Sequence, residues 1–266
     1  MQSTLTKAAI RELAPAALAM HPAKRVSPKY HFYPTHQIID ALASENWAVI
    51  EATTAHSRNN TIPVQYRKHE LAFADRDILA RKHKLEEIPR IMLVNSHDAN
   101  CACRMYAGLY RFICSNGMRI SDGVIQSVRI PHTRQTIEEV ILAAQAFRAN
   151  SEKIGQHVEA FKARELTGPE IRQFSRWAIQ LRQPQKSDTV IAPDDILAIQ
   201  RSEDVGADLW HVFNRVQEHL LKGGFPVYQH TDTGWIERSA RPIKGIDQRS
   251  QLNAGLWDLA ERFVAG

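Results

Sequence analysis

Three features of the chain predict an α+β fold. Apolar, β-branched and aromatic runs crowd between Trp47 and Ile130, a helical period runs from Thr136 to Arg164, and most of the chain beyond Arg164 is again helical in pattern. The strands read as a mostly antiparallel meander packed against the long helix, with a helical C-terminal portion. The expected organisation is an irregular N-terminal arm over residues 1–34, an α+β core over 35–183 and a mainly helical portion over 184–266.

Pro15, Pro22, Pro28 and Pro34 break any sustained period in the arm. Thr35 is placed to cap a short helix whose apolar face is Ile38, Ile39 and Leu42. Two strands are expected at Trp47–Thr53 and Ile88–Ser96, and residues 70–84 read as a polar connection or a short charged helix. From Arg104 to Cys114 both alternating faces are largely apolar, the pattern of a strand covered on two sides. Ser115, Asn116 and Gly117 supply turn chemistry after it, because Asn-Gly tolerates positive φ. Val124, Val128 and Ile130 form one more strand, closed by Pro131, giving a meander of about four strands.

Helices then take over. Thr136 with Glu139 makes a capping box ahead of Ile137, Val140, Ala144, Phe147, Ile154, Val158 and Phe161 at helical spacing. Thr167 with Glu170 makes a second box, and that helix stops before Pro184. The polar, proline-containing span from Gln183 to Pro193 is the natural internal boundary. Leu209 to Lys222 is a helix ended by Gly223 and Gly224, in which Trp210 and Phe213 are expected in the core and the polar residues beside them satisfied by neighbours. An extended piece surrounds Tyr228 to Arg238, and a final helix presents Leu252, Leu256, Leu259 and Phe263 with Trp257 adjacent.

Composition narrows the classes of function. With 266 residues and 44% hydrophobic content the chain can bury a large core. Its +5 charge and isoelectric point near 9.2 suit a polyanionic partner without the tail-driven binding of a histone. Part of the basic bias lies between Arg58 and Lys84. Cys101, Cys103 and Cys114 are an odd set without disulfide-framework spacing, which points to a reducing cytoplasm. The apolar run from Leu13 to Met20 follows Glu12 and is broken by Pro15, so it does not read as a secretion signal, and no run approaches a membrane span.

Local catalytic signatures are absent from the sequence. It contains no Gly-x-Ser-x-Gly elbow, Walker loop, dinucleotide fingerprint or His-Glu-x-x-His. His97, Asp98 and the three cysteines include zinc-ligand types, but Cys-x-Cys on a strand, with no second cluster, does not complete a tetrahedral set. Glu86-Glu87, Glu138-Glu139 and Asp194-Asp195 are adjacent acids that diverge into solvent. The expectation is therefore no assigned catalytic residue, no metal and no cofactor, with a nuclease or other hydrolase site built from distant acids as a third reading. Arg104, Arg111, Arg119, Arg129 and Arg134 lie on or beside the strands and turns with Tyr106 and Tyr110 among them. Guanidinium groups hold phosphates while aromatic faces stack on unpaired bases, so these seven residues are the candidate nucleic-acid site. Arg111 and Arg119 are the two that packing explains least, and a buried Arg111 would require a carboxylate or carbonyl partner.

Several blocks occur in an order that resembles the family numbered 932 among domains of unknown function. They are Asn95 to Asp98, Ala107 to Gly117, Leu209 to Glu218 with Gly223 and Gly224, Ile246-Asp247, and Leu252 to Glu261, and the resemblance covers roughly residues 35–264. Cys101-Ala-Cys103 departs from the family pattern, where small or hydroxyl residues are expected. Members of that family are commonly described as phage or plasmid proteins, so the resemblance implies a mobile element. In outline, a meander followed by a long helix is similar to single-strand annealing proteins, an analogy of fold alone. The expected partner is single-stranded nucleic acid, with strand annealing as the candidate activity and self-association into a homo-oligomer. The alternative is an anti-defence protein, directed at CRISPR or restriction systems, that binds a host nucleoprotein complex.

Overall fold

In the computed structural model the described residues are 4–56, 61–81, 85–112, 116–120, 122, 125–130, 132, 137–183 and 189–266. The chain forms two compact units, Met1–Glu152 and Lys153–Gly266. Their boundary falls inside a helix, whereas the expected boundary between residues 183 and 184 lies within the second unit.

The first unit is built on a six-stranded antiparallel sheet. Strands β1 (Trp47–Thr54), β2 (His69–Asp75), β3 (Glu87–Asn95) and β4 (Cys103–Arg111) pair in chain order. β5 (Asn116–Arg119) and β6 (Val128–Ile130) then share the far edge, β5 pairing with the end of β4 and β6 with its beginning. Alternation places Leu71, Phe73, Leu93, Met105 and Leu109 on one face, all buried. The N-terminal half of a long helix, Ile137–Ala163, belongs to this unit, where Phe147 meets Trp47 edge-on at 5.6 Å. Arg148 in the next position donates from Nε to Asp75 Oδ2 at 3.0 Å, and its guanidinium lies 5.2 Å from the Trp47 ring.

Three local features depart from expectation. The arm contains a helix α1 (Lys7–Leu13), capped by Thr6, whose Oγ1 accepts from Ala9 N at 3.2 Å. Ile10, Ala14, Ala16 and Ala17 are buried, so these residues join the core; Pro15 ends the helix rather than forbidding it. His69–Asp75, most of which read as a polar connection, is an entirely buried interior strand. Glu70 and Asp75 conceal it, and the alanines on either side of Phe73 carry little strand signal. The short charged helix does come next, as α3 (Arg76–Ala80), with Asp75 Oδ1 accepting from Asp77 N at 2.8 Å. Finally, Asn116 and Gly117 begin β5 rather than forming the turn; Cys114 and Ser115 lie outside the described residues. With α2 (Thr35–Ser44), the long helix is α4 in chain order.

In the second unit α4 continues beside α5 (Gly168–Arg182), α6 (Leu209–Lys222) and α7 (Ile246–Ala265). A small antiparallel sheet joins β7 (Thr189–Val190), β8 (Pro226–Thr231) and β9 (Gly234–Ser239). Phe161, Trp210, Phe213 and Trp257 form an aromatic core, with Phe161 and Trp257 centroids 5.0 Å apart. The polar residues of α6 are met internally in part: Asn214 Nδ2 donates to the Trp210 carbonyl at 2.7 Å and Gln217 Nε2 to Asn253 Oδ1 at 2.9 Å, while Asn214 Oδ1 and Arg215 Nε are buried without a hydrogen-bond partner among the described residues. Gly223 ends α6 at φ +71°, where a Cβ would stand 2.4 Å from the Ala240 carbonyl oxygen. Among the described residues no helix is long and apolar enough to cross a membrane.

Candidate functional site

Opposite the core face, the same strands present a row of charged and aromatic residues. Because cross-strand partners share a face, Glu51, Glu70, Arg90, Arg104, Tyr106, Tyr110, Arg119 and Arg129 all lie on this second face. Arg104 and Arg129 are direct partners across β4 and β6, and Arg119 is the partner of Gly108 on the same β4 edge. Arg129 is exposed and Arg104 half-buried. The Arg119 guanidinium lies 4.7 Å from the Tyr106 ring centre and donates to Asp122 Oδ1 at 3.2 Å. Tyr106 in turn donates its hydroxyl proton to Glu70.

Farther into the sheet, Arg90 runs across Tyr110, 5.5 Å from the ring centre, and its Nη1 donates to Glu51 Oε2 at 2.5 Å. Two glycines create the slot for it. A Cβ on Gly108 would lie 3.0 Å from Arg90 Cγ, and one on Gly117 would lie 1.5 Å from Arg90 Nη2. Arg90 is 3% exposed, so its charge is neutralised within the fold instead of being offered to solvent.

Of the seven expected site residues, the structure therefore gathers Arg104, Arg119, Arg129 and Tyr106 at one edge, with Tyr110 on the same face. It does not gather Arg111, which is buried on the opposite face, directly across from Glu87 in register, where a carboxylate suits a buried guanidinium. Arg134 lies outside the described residues. Tyr106 and Tyr110 are buried, at 7% and 4% exposure, and each ring already has an arginine over it. They hold the cations in place; their faces are not open to bases. Reasoning from sequence misses Arg90, Glu51 and Glu70. The available signal is Gly108 and Gly117, nine residues apart in two runs of large side chains, where missing Cβ atoms leave room for a neighbour.

A second polar cluster sits on the core face. Thr35 Oγ1 lies 2.8 Å from His69 Nε2 and 3.3 Å from His97 Nε2, and accepts from Asn95 Nδ2 at 3.0 Å. Thr35, expected to cap α2, is instead its first residue, and its hydroxyl serves this cluster. His69 Nδ1 faces the Arg67 carbonyl at 3.0 Å and must donate to it, so Nε2 accepts the Thr35 proton. Asn95 Oδ1 receives the Ser96 amide at 2.8 Å and is 3.0 Å from His132 Nε2. Burial holds His69 at about 4 and His97 at about 3, against 6.5 ordinarily, and lowers His132 as well. These are neutral rings tying the start of α2 to the ends of β2 and β3. Among the described residues no three His, Cys, Asp or Glu side chains converge to hold a metal.

Residues 22–257 match the profile of a family described as a domain of unknown function, DUF932. Two proteins of Escherichia coli (strain K12), the UPF0380 proteins YfjQ and YafZ, are each 26% identical over 260 residues, which covers 98% of this chain and 92% of each relative. No solved structure matches the chain.

Proposed function

This chain belongs to the DUF932 family, and we propose that it is a mobile-element protein that binds single-stranded nucleic acid along the β4–β5–β6 edge of the larger sheet. The observation that supports this best is the pairing of Arg104 with Arg129 on adjacent strands, with Arg119 on the same face. Two guanidinium groups side by side on one sheet face offer two cationic contacts to a polyanion laid across the strands. A phosphate backbone is such an anion. In the Arg119–Asp122 pair the guanidinium is 19% and the carboxylate 51% exposed, so a phosphate would displace the carboxylate at the exposed Nη2 end of Arg119. The +5 net charge acts in the same direction.

In this reading Arg104, Arg119 and Arg129 neutralise phosphates and release counterions, while Tyr106 and Glu70 fix the position of Arg119. Tyr110 does the same for Arg90. Binding is then governed by the backbone with weak base preference, as strand annealing requires.

Fluorescence anisotropy of a labelled single strand across a salt series tests this with the Arg104→Ala, Arg129→Ala double variant. Each lost phosphate contact reduces the slope of log K against log salt by about 0.7, so the expected reduction is about 1.4. An unchanged affinity and slope would remove the site. A wild-type chain that binds no strand at low salt would instead direct attention to a host nucleoprotein defence complex.

A further inference from the structure

Between β5 and β6 a carboxylate already sits on one of the arginines of the proposed binding edge. Arg119, the last residue of β5, donates from Nη2 to both oxygens of Asp122, at 3.2 and 3.3 Å. Ser127, the residue before β6, holds the same carboxylate from its other side, with Oγ donating to Oδ2 at 3.2 Å. Asp122 is therefore tied to the end of one strand and the start of the next, although about half of its side chain is in solvent.

As a staple alone the pair contributes little, because an exposed carboxylate gains little from one guanidinium. Its position gives it a second consequence. Carboxylate and phosphate present the same anionic oxygen acceptors to a guanidinium, so each excludes the other from the same Nη2 protons. Arg119 is also fixed from behind, its guanidinium 4.7 Å from the centre of the Tyr106 ring, whose hydroxyl donates to Glu70. A strand must take the place of Asp122 rather than draw Arg119 to a new position. The tether keeps the carboxylate at hand, at an effective concentration far above that of a dilute free anion.

Resting on the nucleic-acid reading, we propose that Asp122 is an internal competitor for the phosphate contact of Arg119, an autoinhibitory carboxylate built into the β5–β6 connection. Arg104 and Arg129, which pair across β4 and β6, take the strand first, and the phosphate they bring close to Arg119 displaces Asp122. The carboxylate returns as that phosphate leaves, so it lowers affinity and keeps a bound strand exchangeable.

Fluorescence anisotropy with a labelled single-stranded oligonucleotide at one fixed salt concentration tests this in the full chain, comparing wild type, Asp122→Asn, Arg119→Gln and the variant carrying both. Asp122→Asn is expected to bind about two- to fivefold more tightly than wild type. Without the Arg119 cation there is nothing to compete for, so the same change in the Arg119→Gln background should alter affinity by less than about 1.5-fold. Asparagine keeps the volume of this exposed side chain, and the circular dichroism of Asp122→Asn should match the wild type. Unchanged or weaker binding by Asp122→Asn overturns the inference. So does an equal gain with and without the Arg119 cation, which would mark removal of a negative charge and no competition. If either result appears while Arg104→Ala, Arg129→Ala still weakens binding, this inference fails alone; a wild type that binds no strand removes it together with the reading beneath it.

Discussion

Gly117 illustrates how a residue's role is set by what it lacks. Asn-Gly after an apolar run reads as a turn, and the chemistry behind that reading is sound, yet the glycine is a strand residue whose missing side chain admits the Arg90 guanidinium. Gly117→Ala should displace Arg90 from Glu51 and lower stability by about 1–3 kcal/mol, read as a lower denaturant midpoint; an unchanged midpoint would contradict the slot. The histidine cluster makes a second prediction. His69 and His97 are held at about 4 and about 3, so between pH 6.5 and pH 4 the unfolded chain binds protons that the folded chain refuses. Their contribution is complete above pH 6.5 and declines as the pH falls through that window, by up to about 1.4 kcal/mol per pH unit for each ring. Urea unfolding at pH 7 and pH 5 checks the sign, and a midpoint that does not fall at pH 5 would contradict it. Single residues are the hardest to read from sequence, because burial decides them. Arg104, Arg119 and Arg129 share one face of the sheet by local strand register, whereas the burial of Tyr106, Tyr110 and Arg111 depends on neighbours more than thirty residues away in β2 or on the adjacent strand β3.

Elements are more legible, since periodicity and caps are local. The strands around Trp47, Ile88 and Tyr106, the long α4 and the helices α5, α6 and α7 lie where the pattern places them. In α5 the expected capping box is present, with Thr167 N donating to Glu170 Oε2 at 2.7 Å. The capping box at Thr136 falls outside the described residues. Strand β2 is hidden because its apolar residues are interleaved with alanine and flanked by acids, so alternation is weak although every position is buried. The docking of α4 on the sheet gives a further test. Phe147→Ala removes the ring against Trp47 and should cost about 3–5 kcal/mol. Arg148→Ala removes a half-exposed guanidinium from the buried Asp75 carboxylate and from the Trp47 ring, and should cost about 1–3 kcal/mol. Chemical denaturation of the two variants would contradict this docking if Arg148 proved the more important.

For the molecule as a whole, the α+β class comes from the order of strand-rich and helix-rich segments, and the structure agrees. The division between units at Glu152 and Lys153 leaves no mark in composition, because it falls inside a continuous helix where no proline, glycine or polar break is needed. Net charge is also a property of the whole chain, and it favours a polyanionic partner wherever on the surface the site lies. Nucleic-acid binding is best tested by comparing labelled single-stranded and duplex oligonucleotides with the wild-type protein across a salt series. The expected result is preferential binding of the single strand that weakens linearly on a log–log salt plot, with a slope of about −2 for three phosphate contacts. Absence of binding at low salt, or binding indifferent to salt, would contradict it.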